Sequence, residues 1–293
     1  MKIGITGSTG LIGTALVRSL TASGEEVVRF VRRAPGPQER QWDGVRLAPD
    51  AVQDLDAVVH LAGAGVGDKR WSSAYKKVLV ESRVPGTSAV ARAVAEAGVP
   101  TLLSASAIGW YGDTGDTLLD ESGRRGSGFL ADLCRDWEAA TAPADGKARV
   151  VHLRTGIVQS AAGGALAKQV PIFKACLGAP LGTGKQWVSW ISLRDEVRAI
   201  THLLTADLAG PVNLVGPAPV TNRDYTKALG HALHRPTLPV PVPGFVLTAG
   251  LGEFAKQGVL TGQRLQPTAL LRSGFAFQDS DLRSALESGL RGE

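Results

Sequence analysis

Lys2-Ile3-Gly4-Ile5-Thr6-Gly7-Ser8-Thr9-Gly10-Leu11-Ile12-Gly13 opens the chain, and its reading decides the fold. Residues 2–6 make an apolar run of strand length, and the three glycines that follow are spaced three apart. Gly7 can make a tight strand-to-helix turn, Gly10 can let a pyrophosphate approach the backbone, and Gly13 can let the helix pack closely on the strand. An anion bound there sits on free N–H groups at a helix N-terminus. In a chain with 36 glycines such a triplet can arise by accident, so its context carries the argument. Leu11, Ile12, Ala15, Leu16, Ser19 and Leu20 follow with helical spacing, Gly24 stands where glycine ends helices, and Val27-Val28-Arg29-Phe30-Val31 reads as a second strand. Strand, turn, helix and strand together predict a dinucleotide site that includes Gly7, Thr9, Gly10, Leu11, Ile12 and Gly13.

The end of the second strand bears on which dinucleotide. An acidic residue about twenty positions past the glycines holds a ribose 2′-hydroxyl, whereas an arginine there accommodates a 2′-phosphate. Here Arg32 and Arg33 end the strand, and the next acid is Glu39. The pair can also be read as a solvated loop ahead of Ala34-Pro35-Gly36-Pro37. Because guanidinium forks match phosphate so well, NADP(H) is the expected cofactor.

With 293 residues, 44% of them hydrophobic, the chain can bury a large core in one domain or two closely joined ones. Its net charge is +5, but the basic residues are scattered and no nucleic-acid motif occurs, so a solvated surface is expected rather than a nucleic-acid partner. Met1 leads straight into a core strand, and no apolar run approaches the ~20 residues of a membrane helix. Cys134 and Cys176 suggest neither a disulfide framework nor a zinc site. A cytoplasmic, membrane-free protein is expected, with oligomerisation left open.

The alternation continues through a weak segment at 45–47, a strand at 56–63, helices at 73–82 and 87–97, a strand at 101–106, a helix at 130–140 and a strand at 149–154. Such alternation predicts an α/β fold with a Rossmann-type, doubly wound parallel sheet. Ligands of these sheets lie outside the carboxyl ends of the strands. Past about residue 160 the texture turns Gly- and Pro-rich. Residues 186–191 and 212–215 read as extended, and 195–204, 222–233 and 280–290 as helical. We therefore expect a dinucleotide domain over 1–165, with 185–215 returning to it, and a smaller substrate lobe over 166–293.

Almost end to end, the residues resemble the extended, atypical short-chain dehydrogenase/reductases, within them an epimerase-like subgroup also labelled cell-division-inhibitor-like. The similarity runs through T-G-S-T-G-L-I-G at 6–13, Leu61-Ala62-Gly63, Arg70-Trp71, Ser82-Arg83, S-A-S-A-I-G-W-Y-G at 104–112 and Asp136-Trp137-Glu138. It continues in Arg154-Thr155-Gly156-Ile157-Val158, in G-T-G-K-Q-W-V-S-W-I at 182–191, and in a C-terminal module at about 240–290. The resemblance implies NADP(H) binding and an unidentified small-molecule substrate. It also places Leu61, Ala62 and Gly63 beneath the adenine ribose, and it adds Arg83 and Ile157 to the cofactor-binding set.

One departure concerns mechanism. Short-chain reductases use Y-x-x-x-K, in which a lysine helps lower the pKa of a proton-exchanging tyrosine. Four residues after Tyr75, Tyr111 and Tyr225 stand Leu79, Gly115 and Leu229, so the motif is missing from this chain. By register with Glu138, its tyrosine and lysine positions hold Leu130 and Cys134, and Ser192 stands where the family commonly has histidine. Ser106, Tyr111 and Asp113 are then the nearest candidates for a proton-handling group, with Ser106 and Tyr111 preferred. A lone tyrosine after a strand is commonly packing, and a serine there can simply satisfy the turn. The reading is an oxidoreductase or epimerase-like protein without the usual relay. The alternative is a catalytically silent NADPH sensor or scaffold that acts through a protein partner. His60 and His152 read as core groups, Cys134 as an inert buried thiol, and Trp187 and Trp190 as sharing one strand face.

Overall fold

The computed structural model describes residues 1–292. In chain order the elements begin with β1 (Lys2–Thr6), α1 (Leu11–Ala22), β2 (Glu26–Val31), β3 (Glu39–Gln41), β4 (Ala57–His60), α2 (Ser73–Glu81), α3 (Val84–Ala97) and β5 (Thr101–Ala107). They continue with β6 (Leu118–Leu119), α4 (Phe129–Ala139), β7 (Arg149–Thr155), β8 (Ile157–Gln159), α5 (Gly164–Lys174), β9 (Trp187–Val188) and β10 (Trp190–Ser192). The remainder are α6 (Leu193–Thr205), β11 (Gly210–Leu214), β12 (Val220–Thr221), α7 (Asn222–Ala232), α8 (Gly244–Leu251), β13 (Arg264–Leu265), α9 (Thr268–Arg272) and α10 (Leu282–Arg291).

Seven strands form one sheet in the order β11-β7-β5-β4-β1-β2-β3. Pairs β1–β2, β1–β4, β2–β3 and β4–β5 are parallel, as the strand–helix alternation predicts. The order reverses at β1, whose neighbours β2 and β4 carry the chain outward in opposite directions. Such a switch point is where open α/β sheets bind ligands.

Two compact units share the chain, one made of 1–106, 133–154 and 197–212, the other of 107–132, 155–196 and 213–293. The first holds nearly all of the seven-stranded sheet. Val28, Phe30, Trp42, Val52, Leu55, Val58, Val90, Val94 and Leu102 pack as its core, each fully buried aliphatic contributing ~1.5–3 kcal/mol. The second is built on small sheets, β8 with β10, β9 with β12 and β6 with β13, around Leu166, Phe173, Trp190, Tyr225, Leu229 and Leu286.

Local chemistry sets the boundaries. Helix α1 ends as predicted on Gly24, at φ +84°, where the amides of Gly24 and Glu25 return to the carbonyls of Thr21 and Leu20. Helix α3 starts at Val84, earlier than expected, because Pro85 falls in its first turn, where a missing N–H costs nothing. The third strand lies at Glu39–Gln41 and not at 45–47. Asp43 accepts the amides of Val45 and Arg46 and curls that segment into a turn. The true strand is a polar edge strand, held in register by an Arg29–Glu39 ion pair of 2.8 Å, so hydrophobic patterning cannot find it.

Candidate functional site

At the carboxyl end of β1 the three glycines differ in what they do. Gly7 has φ +67°, and a Cβ there would stand 2.7 Å from the backbone of Leu61. At Gly13 a Cβ would collide with the Gly7 carbonyl, whereas at Gly10 it would meet that oxygen at 3.3 Å. Gly7 and Gly13 thus press the turn against the segment after β4 and against its own helix, and Gly10 is left exposed at the mouth. As the N-cap of α1, Gly10 makes no side-chain capping bond, and the first turn carries no acid. The uncapped amides and helix dipole form a cradle that fits a diphosphate. Thr9 lies exposed on its rim, with Leu11 and Ile12 half-buried beside it.

The paired arginines separate. Arg33 grips Glu39 at two points, Nη1 to Oε2 and Nη2 to Oε1, each 2.7 Å. That hydrogen bonding, with the Gly36 amide and the nearby Arg29 charge, holds the Glu39 carboxyl below its ordinary range. Arg32 is exposed one residue past β2, and among the described residues no protein group pairs with its guanidinium.

Across the switch point, Leu61, Ala62 and Gly63 follow β4 and touch the glycine turn. A hydrogen-bonded string fixes them. The Leu61 amide donates to Thr6 Oγ1, which meets His60 Nδ1 at 2.8 Å; His60 Nε2 meets Thr87 Oγ1 at 2.9 Å; and Trp137 Nε1 donates to that same oxygen at 3.0 Å. Burial pushes His60 down to about 4, so the ring in this string is neutral. Arg83 lies beneath the loop. Its Nη2 donates to the Ala64 carbonyl at 2.8 Å, its guanidinium stacks 4.7 Å from the Trp137 ring, and its buried Nε has no partner. Arg83 therefore braces the segment after β4 from below through backbone and ring contacts.

Next to β4, the carboxyl end of β5 carries Ser106, 4% exposed. Its Oγ donates at 2.6 Å to Glu138 Oε1 on α4. Arg154, at the end of β7, closes on the same carboxylate, Nε to Oε1 at 2.8 Å and Nη2 to Oε2 at 2.9 Å. Trp137 of the loop string and Glu138 of this cluster are adjacent residues, so α4 ties the two together. Leu130, Cys134 and Glu138 recur every four residues along that helix, on one face.

Tyr111 belongs to the other unit and is 2% exposed. Its hydroxyl donates at 2.7 Å to Asn213 Oδ1, Asn213 donates to the Gln266 carbonyl, and Glu121 accepts the Asn213 and Ala269 amides. This is a buried tie between segments. Ile157 also lies in that unit, half-buried on β8, and its amide donates to Ser189. Ser192 accepts the Asp195 amide at the start of α6, and Asp195 in turn accepts the amides of Gln278 and Asp279, anchoring the C-terminal module. Trp187 and Trp190 do not share a face. They are three apart, an odd spacing that points side chains oppositely. Trp190 donates to the Ala218 carbonyl from the core, and Trp187 donates to Asp116 beneath the Arg264 guanidinium.

Two groups escaped sequence reasoning. Glu138 with Arg154 could have been suspected from a lone arginine ending the apolar strand Val150-Val151-His152-Leu153. Glu196 gave no such signal: it is fully buried, takes one bond from Thr155 at 2.8 Å, and leaves Oε2 without a partner, so burial pushes its carboxyl up to about 8. Among the described residues no cluster of metal-binding side chains occurs, and no helix is long and apolar enough to cross a membrane.

Sheet order, glycine turn and uncapped helix define a Rossmann-type dinucleotide-binding protein. The chain belongs to the NAD dependent epimerase/dehydratase family, whose profile matches residues 3–216; residues 242–288 match a domain of unknown function, DUF1731. Among its relatives is the epimerase family protein MT2273 of Mycobacterium tuberculosis, 50% identical over 97% of this chain and 96% of the relative. The crystal structure of human epimerase family protein SDR39U1 (isoform 2) with NADPH superposes with a TM-score of 0.91 at 30% identity, covering all of both chains. A nucleoside-diphosphate sugar epimerase from Corynebacterium glutamicum matches with a TM-score of 0.82 at 38% identity, over all of this chain and 58% of the other.

Proposed function

We propose that this protein binds NADP(H) and transfers hydride to or from an unidentified small molecule. The observation that carries the cofactor choice is the division of labour between the two arginines: Glu39 occupies Arg33 and leaves Arg32, beside the diphosphate cradle, to take a 2′-phosphate. The NADPH complex of the human relative supports the same choice. Gly7, Gly10 and Gly13 with the first amides of α1 would hold the diphosphate. Leu61, Ala62 and Gly63, braced by Arg83, would lie along the adenosine side. The bound nicotinamide supplies or accepts the hydride.

Of the two candidate proton-handling residues, Ser106 is the one in the unit that holds the cradle, on a strand end next to the cofactor loop. We place it against the substrate oxygen and read Tyr111 as structural. Calorimetric titration tests the cofactor assignment directly. NADPH is expected to bind at least tenfold more tightly than NADH; equal affinities overturn the assignment, and no binding by either overturns the function. Consumption of NADPH over a carbonyl panel then tests hydride transfer.

A further inference from the structure

Ser106 shows which hydrogen-bonding partner the substrate must bring, an inference that rests on the reading of Ser106 as the residue against the substrate oxygen. A serine hydroxyl has one proton and two acceptor lone pairs, and a carboxylate has lone pairs only. Glu138 faces Arg154 in a two-point ion pair, with both side chains under 10% exposed. The Ser106 proton is spent on it at 2.6 Å. A charge-assisted bond of this length is of the stronger kind, so the hydroxyl does not turn away cheaply.

The other face of Glu138 brings no competing proton. Thr141 Oγ1 donates to the Glu138 backbone carbonyl at 2.8 Å, so toward His152 Nε2, 2.9 Å away, it can only accept. His152 therefore carries its proton on Nε2 and turns a bare Nδ1 toward Glu138 Oε2 at 3.9 Å. Burial lowers the His152 pKa and keeps that ring neutral. The carboxylate thus takes its proton contacts from Arg154 and Ser106. Among the described residues no protein group donates to Ser106 Oγ, whose lone pairs stay available although the residue is buried.

We infer that Ser106 is an acceptor-only contact and that the substrate group it takes is a hydrogen-bond donor, a hydroxyl, so the site selects the alcohol over the matching carbonyl compound. A carbonyl oxygen would set lone pair against lone pair. Sites built around one hydrogen-bond polarity reject a ligand of the other by roughly 10–100-fold, the cost of an unpaired buried polar group. Glu138 and Arg154 act here as positioning residues, through Ser106.

Neutron diffraction from deuterium-exchanged crystals of the protein, without added cofactor, reads the polarity itself. The expected result is a deuteron on Ser106 Oγ along the line to Glu138 Oε1, with none on the carboxylate. A deuteron on Glu138, or a Ser106 deuteron pointing elsewhere, overturns the inference whether or not any ligand is known. A second arm uses cyclohexanol and cyclohexanone as matched probes in saturation-transfer NMR on the loaded protein. The alcohol should bind at least tenfold more tightly, and Ser106→Ala should erase the difference. Glu138→Gln, whose amide can donate to Ser106 and free its proton, should shift the preference toward the ketone. Equal binding of the two probes to the wild-type protein, or tighter binding of the ketone, overturns it. Failure of NADP⁺ to bind would instead remove the proposed function and leave the crystallographic answer standing.

Discussion

Arg33 and Glu39 face each other in a two-point ion pair, both contacts 2.7 Å, and that pair makes two adjacent arginines unequal. Glu39 also takes Arg29 at 2.8 Å, so two arginines on the β2–β3 edge share one negative charge. We predict that Arg32→Ala lowers NADPH affinity by roughly 10–100-fold, the worth of a charge-assisted phosphate contact, and leaves NADH affinity within about twofold. Arg33→Ala should cost NADPH far less. Parallel titrations of both variants with both cofactors check this, and an equal loss in the two variants would contradict it.

The glycine turn gives a ranked prediction. Gly7→Ala is strained twice, by φ +67° and by a Cβ 2.7 Å from the Leu61 backbone, and Gly13→Ala drives a methyl into the Gly7 carbonyl. Each should destabilise the protein by about 1–3 kcal/mol and weaken NADPH binding by moving the cradle. Gly10→Ala meets only one carbonyl at 3.3 Å and should cost under about 1 kcal/mol. Denaturant melts of the three variants decide the order, and a Gly10 variant worse than the other two refutes it.

Tyr111→Phe tests the structural reading of that tyrosine. The change leaves Asn213 Oδ1 without its 2.7 Å donor in a buried place and should destabilise by about 1–3 kcal/mol. NADPH affinity should be unchanged. Thermal melts paired with calorimetry read both, and wild-type stability with lost turnover would restore Tyr111 as a chemical group.

Sequence patterning reached the sheet and the glycine turn into α1 because both rest on local signals. Apolar strand runs, a glycine triplet before a helix and Gly24 as a helix stop each act within a few residues. It missed β3 because Glu39–Gln41 is held by charge pairing with Arg29, which no hydrophobic period reports. Arg32 and Arg33 looked alike because Glu39 selects between them only once β3 lies beside β2. The polarity of Ser106 was beyond reach for a similar reason. It depends on Glu138 and Arg154, 32 and 48 residues downstream, meeting at one strand end.

Two buried titratable groups give stability opposite slopes with pH. His60 drops from an ordinary 6.5 to about 4, so between those values the unfolded chain binds more protons than the native one. The stability tied to its neutral ring is complete above pH 6.5 and is lost as pH falls toward 4, up to about 3 kcal/mol. Glu196 rises from 4.5 to about 8, so between those values the native chain binds the extra proton. Its contribution is complete below 4.5 and is lost as pH rises through 8, up to about 5 kcal/mol. Glu196→Gln keeps the shape and an acceptor for the Thr155 hydroxyl while removing the titration. The variant should flatten the alkaline limb of a stability–pH curve measured by urea unfolding and be more stable than wild type at pH 8. An alkaline limb as steep in the variant as in the wild-type protein would assign that slope to other groups.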